Sequence, residues 1–164
     1  MDINKSQKRR REKAAEDLYV LLLLLFSGKI TDFENEYREV VLKYTVDDEY
    51  ISEYIPFITQ EIEKTTKKTG NTSDDRALAI ALNEANTVLG YEEYRTALVR
   101  GYKKKTWLTM LDTRVRDTHR PLEDKTIPID DFFTVGESKM LFPRDTVNGS
   151  LKETSGCRCA LKYS

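Results

Sequence analysis

Several common protein classes are excluded by what this sequence lacks. It has two cysteines, Cys157 and Cys159, one residue apart. They cannot form a disulfide framework, and a bond between residues two apart is disfavoured by geometry. A reducing compartment, or one indifferent to redox state, is therefore expected. There is one histidine, His119, and one tryptophan, Trp107. The chain contains no Gly-rich phosphate loop, no Ser or Cys nucleophile motif and no His-Glu-x-x-His pair, which removes the chemistries those motifs serve. The longest apolar run, nine residues from Leu18 to Phe26, falls well short of the roughly 20 needed to span a bilayer. It follows Lys8, Arg9, Arg10 and Arg11 much as a signal-peptide core would. However, Glu12, Glu16 and Asp17 intervene, and Ser27-Gly28-Lys29 is a poor cleavage site. A buried helix is expected there, not export, and no membrane protein is indicated.

What is present suits a charged, helix-leaning protein. The 164 residues allow one core, or one core with a helical extension. Hydrophobic residues make up 39% and charged residues 34%, and the net charge of −1 argues against a surface that grips nucleic acid all round. The charge is unevenly placed. Residues 1–13 carry six basic against two acidic side chains, residues 14–101 nine against seventeen, and residues 102–164 twelve against nine. An acidic middle lies between two basic ends.

The first two thirds read as four helices with short links, a bundle or an arm of paired helices. The first is expected over about 6–26, and its leucine run needs cover on several sides, from its own domain or from a partner. Thr31-Asp-Phe-Glu34 has capping-box spacing, with Phe33, Tyr37, Val40, Val41 and Tyr44 at helical intervals after it. Asp47 is a candidate cap for a third helix with Ile51, Ile55, Ile58 and Ile62 on one face, and Pro56 would kink or restart it. Thr72-Ser-Asp-Asp75 opens a fourth, with Leu78, Leu82, Ala85 and Leu89 as its stripe and Gly101 as its stop. The many tyrosines here read first as half-buried helix faces and second as a partner surface, where Tyr is enriched.

After Gly101 the character changes to a small α+β unit. A strand is expected over 103–111, with Trp107, Thr109 and Leu111 on one side. A short helix over 112–119 would end at Pro121, and extended pieces follow near 126–129, 132–135, 139–142 and 159–163. Turn residues separate them, including Gly136, Pro143-Arg-Asp145 and Asn148-Gly149. The expected organisation is a helical, partner-binding region over 1–101 and a motif domain over 102–164.

In order along that second region stand Trp107, Asp112-Thr-Arg114, Arg116, His119, Phe133, Pro143, Asp145 and Cys157-Arg158-Cys159. This series resembles the phage Mu F-like minor head proteins, the head-morphogenesis domain family, over about residues 76–163, weakly before Lys103 and strongly after it. Gly156 stands where that family usually carries Asn. The resemblance implies a structural head component, not an enzyme, acting in head morphogenesis. It implies association with the portal and other head proteins, and a part in DNA packaging or ejection. It also implies a place in the virion, inside the capsid near the portal, after synthesis in the bacterial host cytoplasm. Related phage proteins sometimes carry fused toxin domains; with the motif domain ending near Ser164, none is expected here.

Three chemistries can be read from the same residues. His119, Cys157 and Cys159 offer soft or borderline metal ligands, with Asp112 or Asp145 as a fourth, and zinc would suit them. On a strand, residues i and i+2 share a face, so both sulfurs can address one ion. The alternative, which the residues favour, is a buried His hydrogen-bonded to a carboxylate beside two buried thiols. A metal-dependent nuclease on His119 and Asp112 is a weaker reading than a buried ion pair of Asp112 with Arg114 or Arg158. Non-specific DNA contact is the third, through Lys8, Arg9, Arg10 and Arg11 at one end and Lys103, Lys104 and Lys105 at the other.

Overall fold

The computed structural model describes residues 5–164. They divide into two compact units, one running up to Leu89 and the other spanning Gly90–Ser164. The architecture is α+β.

The first unit is helical: α1 (Lys5–Phe26), α2 (Phe33–Val41), α3 (Glu49–Thr69) and α4 (Asp74–Val99), whose last turns lie beyond the unit boundary. Side-chain caps start three of these helices. Asp32 accepts the Asn35 amide at 3.1 Å, Asp48 the Ile51 amide at 3.1 Å, and Ser73 the Arg76 amide at 3.2 Å. The first two caps stand one residue later than expected at Thr31 and Asp47. In each case the cap side chain accepts the amide three residues ahead of it. Helix α3 runs unbroken through Pro56, and Thr59 Oγ1 back-bonds to the Ile55 carbonyl at 2.8 Å just beyond it. It ends at Gly70, whose left-handed φ of 62° closes the cap.

The buried stripes are Leu18, Leu21 and Leu22 on α1, Phe33, Tyr37 and Val41 on α2, and Ile51, Ile55, Ile58 and Ile62 on α3. The leucine run is therefore covered on one side, while Val20 and Leu24 stay exposed. On α4 the inward stripe is Ala77, Ala81, Glu84, Ala85, Val88 and Leu89. The leucines expected to lead it, Leu78 and Leu82, are 45% and 49% exposed. Alanines admit a neighbour at close range, and they turn Glu84 inward to meet a polar partner. Tyr54 donates to the Glu84 carboxylate, and the Tyr37 and Tyr54 hydroxyls lie 2.7 Å apart. Burial, then the Glu84 charge, holds both phenols well above their usual pKa.

The second unit contains β1 (Lys104–Leu108), β2 (Thr126–Pro128), β3 (Phe133–Val135), β4 (Ser138–Met140), α5 (Leu151–Thr154) and β5 (Ala160–Tyr163). An antiparallel sheet has the order β2-β1-β5, and β3 pairs with β4 in a two-stranded ribbon. The register sets Trp107 opposite Leu161 and Thr106 opposite Thr126, whose hydroxyls bond at 2.7 Å. Strand alternation sends Lys105, Trp107 and Thr109 inward. Trp107, Leu122, Phe133, Val135, Met140, Cys157 and Cys159 form the core.

Three local expectations fail here. Leu111 leaves the strand with φ 56° and is 77% exposed. Residues 112–119 are turns, not a helix, because the Asp112 side chain takes the Arg114 amide at 3.0 Å and competes with helical bonding. The helical turn comes later, as a 3-10 turn over Arg120–Leu122 that includes Pro121. Cys157 and Cys159 precede β5 in an extended loop and are not part of a strand. Among the described residues no helix is long and apolar enough to cross a membrane.

The Tyr37–Tyr54–Glu84 group predicts a graded mutational response. Glu84→Ala leaves the Tyr54 hydroxyl without its acceptor and should cost about 2–3 kcal/mol, while Tyr37→Phe should cost about 1 kcal/mol. Denaturant unfolding followed by helical circular dichroism measures both.

Candidate functional site

His119 sits at the turn that leads into Arg120–Leu122, 1% exposed, with the Trp107 ring edge-on at 5.7 Å between centroids. Both of its ring nitrogens face buried groups. Nε2 lies 3.0 Å from Oε2 of Glu153, and Nδ1 lies 3.6 Å from the sulfurs of both Cys157 and Cys159. A carboxylate only accepts, so Nε2 carries a proton toward Glu153, while Nδ1 faces the two sulfurs.

Glu153 is itself 3% exposed on α5, and Thr118 Oγ1 donates to the same Oε2 at 2.7 Å. Space for it comes from Gly136, with φ 59°, where an added Cβ would fall 2.7 Å from Glu153 Oε1. The cysteines alternate with Arg158, which turns outward and grips Asp112 in a two-pronged pair at 2.7 and 2.8 Å. That pair is half-exposed, not buried as expected. Chiefly through the Arg158 hydrogen bond, the Asp112 carboxyl is held down to about 2.

The two thiols share one site and split in opposite directions. Cys157 is lowered, first by the hydrogen bond from Cys159 and further by His119, against the effect of burial. Cys159 is raised by the bond to Cys157 and by burial. The Cys159 amide also points at the Cys157 sulfur, at 3.5 Å. The indole N–H of Trp107 is buried and makes no hydrogen bond among the described residues.

Of the metal candidates, His119, Cys157 and Cys159 bring ligand atoms to within 4.8 Å of one another. Asp112 and Asp145, considered as a fourth ligand, are not in that group. Asp112 is held by Arg158. Asp145 is fully buried, and its carboxylate accepts the Leu141 amide at 2.8 Å and the Asn148 side chain at 2.9 Å, shaping the loop that contains buried Pro143. Arg114 and Arg116 line a small cleft over the histidine and the thiols, and Arg116 also donates to the Ser155 carbonyl.

The residues read as DNA contacts are distributed differently. Lys8 pairs with Glu12, Arg10 donates to the Tyr44 carbonyl at 3.0 Å, and Arg11 donates to Asn86 at 3.1 Å. Arg9, Lys103 and Lys104 are exposed. Lys105 does not belong with them. It is fully buried, donates to the Leu141 carbonyl at 2.7 Å, and rests over the Tyr94 and Phe133 rings. Strand alternation turned it inward with Trp107, and burial lowers its pKa to about 8, offset only in part by Asp145, Asp130 and Asp131.

Reading the sequence missed Glu153, Thr118 and Gly136. Ser150-Leu-Lys-Glu153 has capping-box spacing, which could have marked α5 and its glutamate.

A family model for phage Mu protein F-like proteins matches residues 58–162, and the chain belongs to that family. Membership makes it a phage structural protein of the head. The chain is also similar to the NAD(+)–arginine ADP-ribosyltransferase EFV of Enterococcus faecalis, 32% identical over 105 residues. That match takes in 60% of this chain but 21% of the relative, so the chain spans about a fifth of its length. No solved structure matches the chain.

Two outcomes follow from these surroundings. Asp145→Ala strands the Leu141 amide and the Asn148 side chain and should cost about 2–3 kcal/mol in chemical denaturation. Lys105 should titrate near 8 by NMR of its side chain, against 10.5 for a free lysine. Between those values the unfolded chain binds more protons than the folded one. The Lys105 contribution to stability therefore rises with pH across that window and is at its lowest below it.

Proposed function

We propose that this protein is a minor head component that acts by binding, joining the portal and its neighbouring head proteins during morphogenesis. The observation that carries this reading is the family match, which takes in the end of α3, all of α4 and nearly the whole Gly90–Ser164 unit. The structure lends support of two kinds. His119, the base on which a nuclease reading would rest, is bordered by Glu153 and two thiols, while Asp112 is engaged by Arg158. The helical unit, in turn, leaves Val20, Leu24, Leu78 and Leu82 exposed, apolar side chains of the kind a partner helix covers.

The stretch shared with the ADP-ribosyltransferase is read as a common module and not as a transferase, since it is a fifth of that protein. Its place in this account is the virion, near the portal inside the head. Weak contact of Arg9, Lys103 and Lys104 with packaged DNA is compatible with that position and is secondary to protein binding.

Co-expression with the portal protein from the same phage genome, followed by size-exclusion chromatography, tests the proposal. Co-elution at defined stoichiometry is the expected result, lost or weakened at least roughly tenfold when Leu78 and Leu82 are both changed to Asp. Separate elution of two folded proteins would overturn portal association.

A further inference from the structure

We propose that His119, Cys157 and Cys159 bind one zinc ion, with a solvent molecule from the adjoining cleft as fourth ligand. The first argument is distance. A tetrahedral zinc with Zn–S of about 2.3 Å and Zn–N of about 2.0–2.1 Å separates its nitrogen and sulfur ligands by about 3.5–3.6 Å. Both sulfurs stand 3.6 Å from His119 Nδ1. All three ligand atoms lie within 4.8 Å of one another, so an ion set between them would draw the sulfurs in around it.

The second argument is the shell around them. A metal-ligating histidine characteristically donates its other N–H to a carboxylate, which fixes the tautomer and raises the basicity of the ligating nitrogen. Nε2 makes such a bond to Glu153, itself held by Thr118 in space left by Gly136. The surroundings of the sulfurs hold donors as well. The Cys159 amide is directed at Cys157, and the orphaned indole N–H of Trp107 lies in the same core as both cysteines. A buried donor left without a partner calls for an explanation. A metal thiolate, a better acceptor than a neutral thiol, supplies one.

The third argument is the choice of ion. Two thiolates and an imidazole select zinc over the hard oxygen-seeking cations. The two thiolate charges match those of the ion, so the ion and its protein ligands are neutral together. The remaining coordination direction is the cleft lined by Met110, Arg114, Arg116 and Arg158, which brings no carboxylate to the ion. Zinc binding drives the remaining thiol protons to solvent.

The test uses the full chain, purified under reducing conditions and stripped with a chelator. Titration with cobalt(II) should raise a sulfur-to-cobalt charge-transfer band and tetrahedral visible absorption that saturate at one equivalent and vanish on adding one equivalent of zinc. Cys157→Ser, Cys159→Ser and His119→Ala should each abolish this spectrum. Glu153→Gln should keep it but weaken affinity roughly 10–100-fold. Near-ultraviolet circular dichroism of Trp107 shows whether each protein is folded. Folded wild type with no charge-transfer band overturns the proposal, whatever the variants do. So does a band that survives loss of either cysteine.

Discussion

The His119 imidazole is the point at which α5, the loop before β5 and β1 converge. Its Nε2–H meets Glu153 from α5, its Nδ1 meets two sulfurs from the loop before β5, and its ring lies edge-on to Trp107 of β1. Glu153 depends in turn on Thr118 and on the bare backbone of Gly136. A buried carboxylate or imidazole left alone would cost several kcal/mol, so each residue is tolerable only while the others are in place. With strands of three to five residues, this unit cannot rely on long hydrogen-bonded ladders. A satisfied polar cluster set into the Trp107 core gives it one arrangement in preference to many.

The helical unit solves the same problem differently. Apolar stripes on α1, α2 and α3 bury its bulk, and one polar chain, Tyr37 to Tyr54 to Glu84, fixes the register of α2, α3 and α4. The family match begins within α3 and crosses the unit boundary. The matched stretch is thus built from both packing styles, while α1 and α2 lie outside it.

Much of this was legible in the sequence because the signals were strong and local. The four helices, the isoleucine face of α3 and the extended pieces near β2 to β5 follow from periodicity and turn residues. The grouping of His119 with Cys157 and Cys159 followed from their rarity and i, i+2 spacing. What was not legible depended on tertiary choices. The α4 stripe was read from its largest residues, whereas close packing chose alanines and drew Glu84 inward. Asp112 looked helical in composition, but its side chain took the Arg114 amide and opened a turn. Lys105 was counted with its basic neighbours, although strand alternation places it on the side of Trp107. Glu153 lies on a four-residue helix with little periodicity of its own, and its partner is 34 residues away.

The claim on which the rest turns is the tautomer of His119, and long-range proton–nitrogen correlation NMR of the imidazole reads it directly. The account predicts that Nε2 keeps its proton throughout, and that Nδ1 is bare once zinc is added, its resonance moving with the metal. An Nδ1 that stays protonated with zinc present would contradict it, because that nitrogen would then have no lone pair to offer the ion.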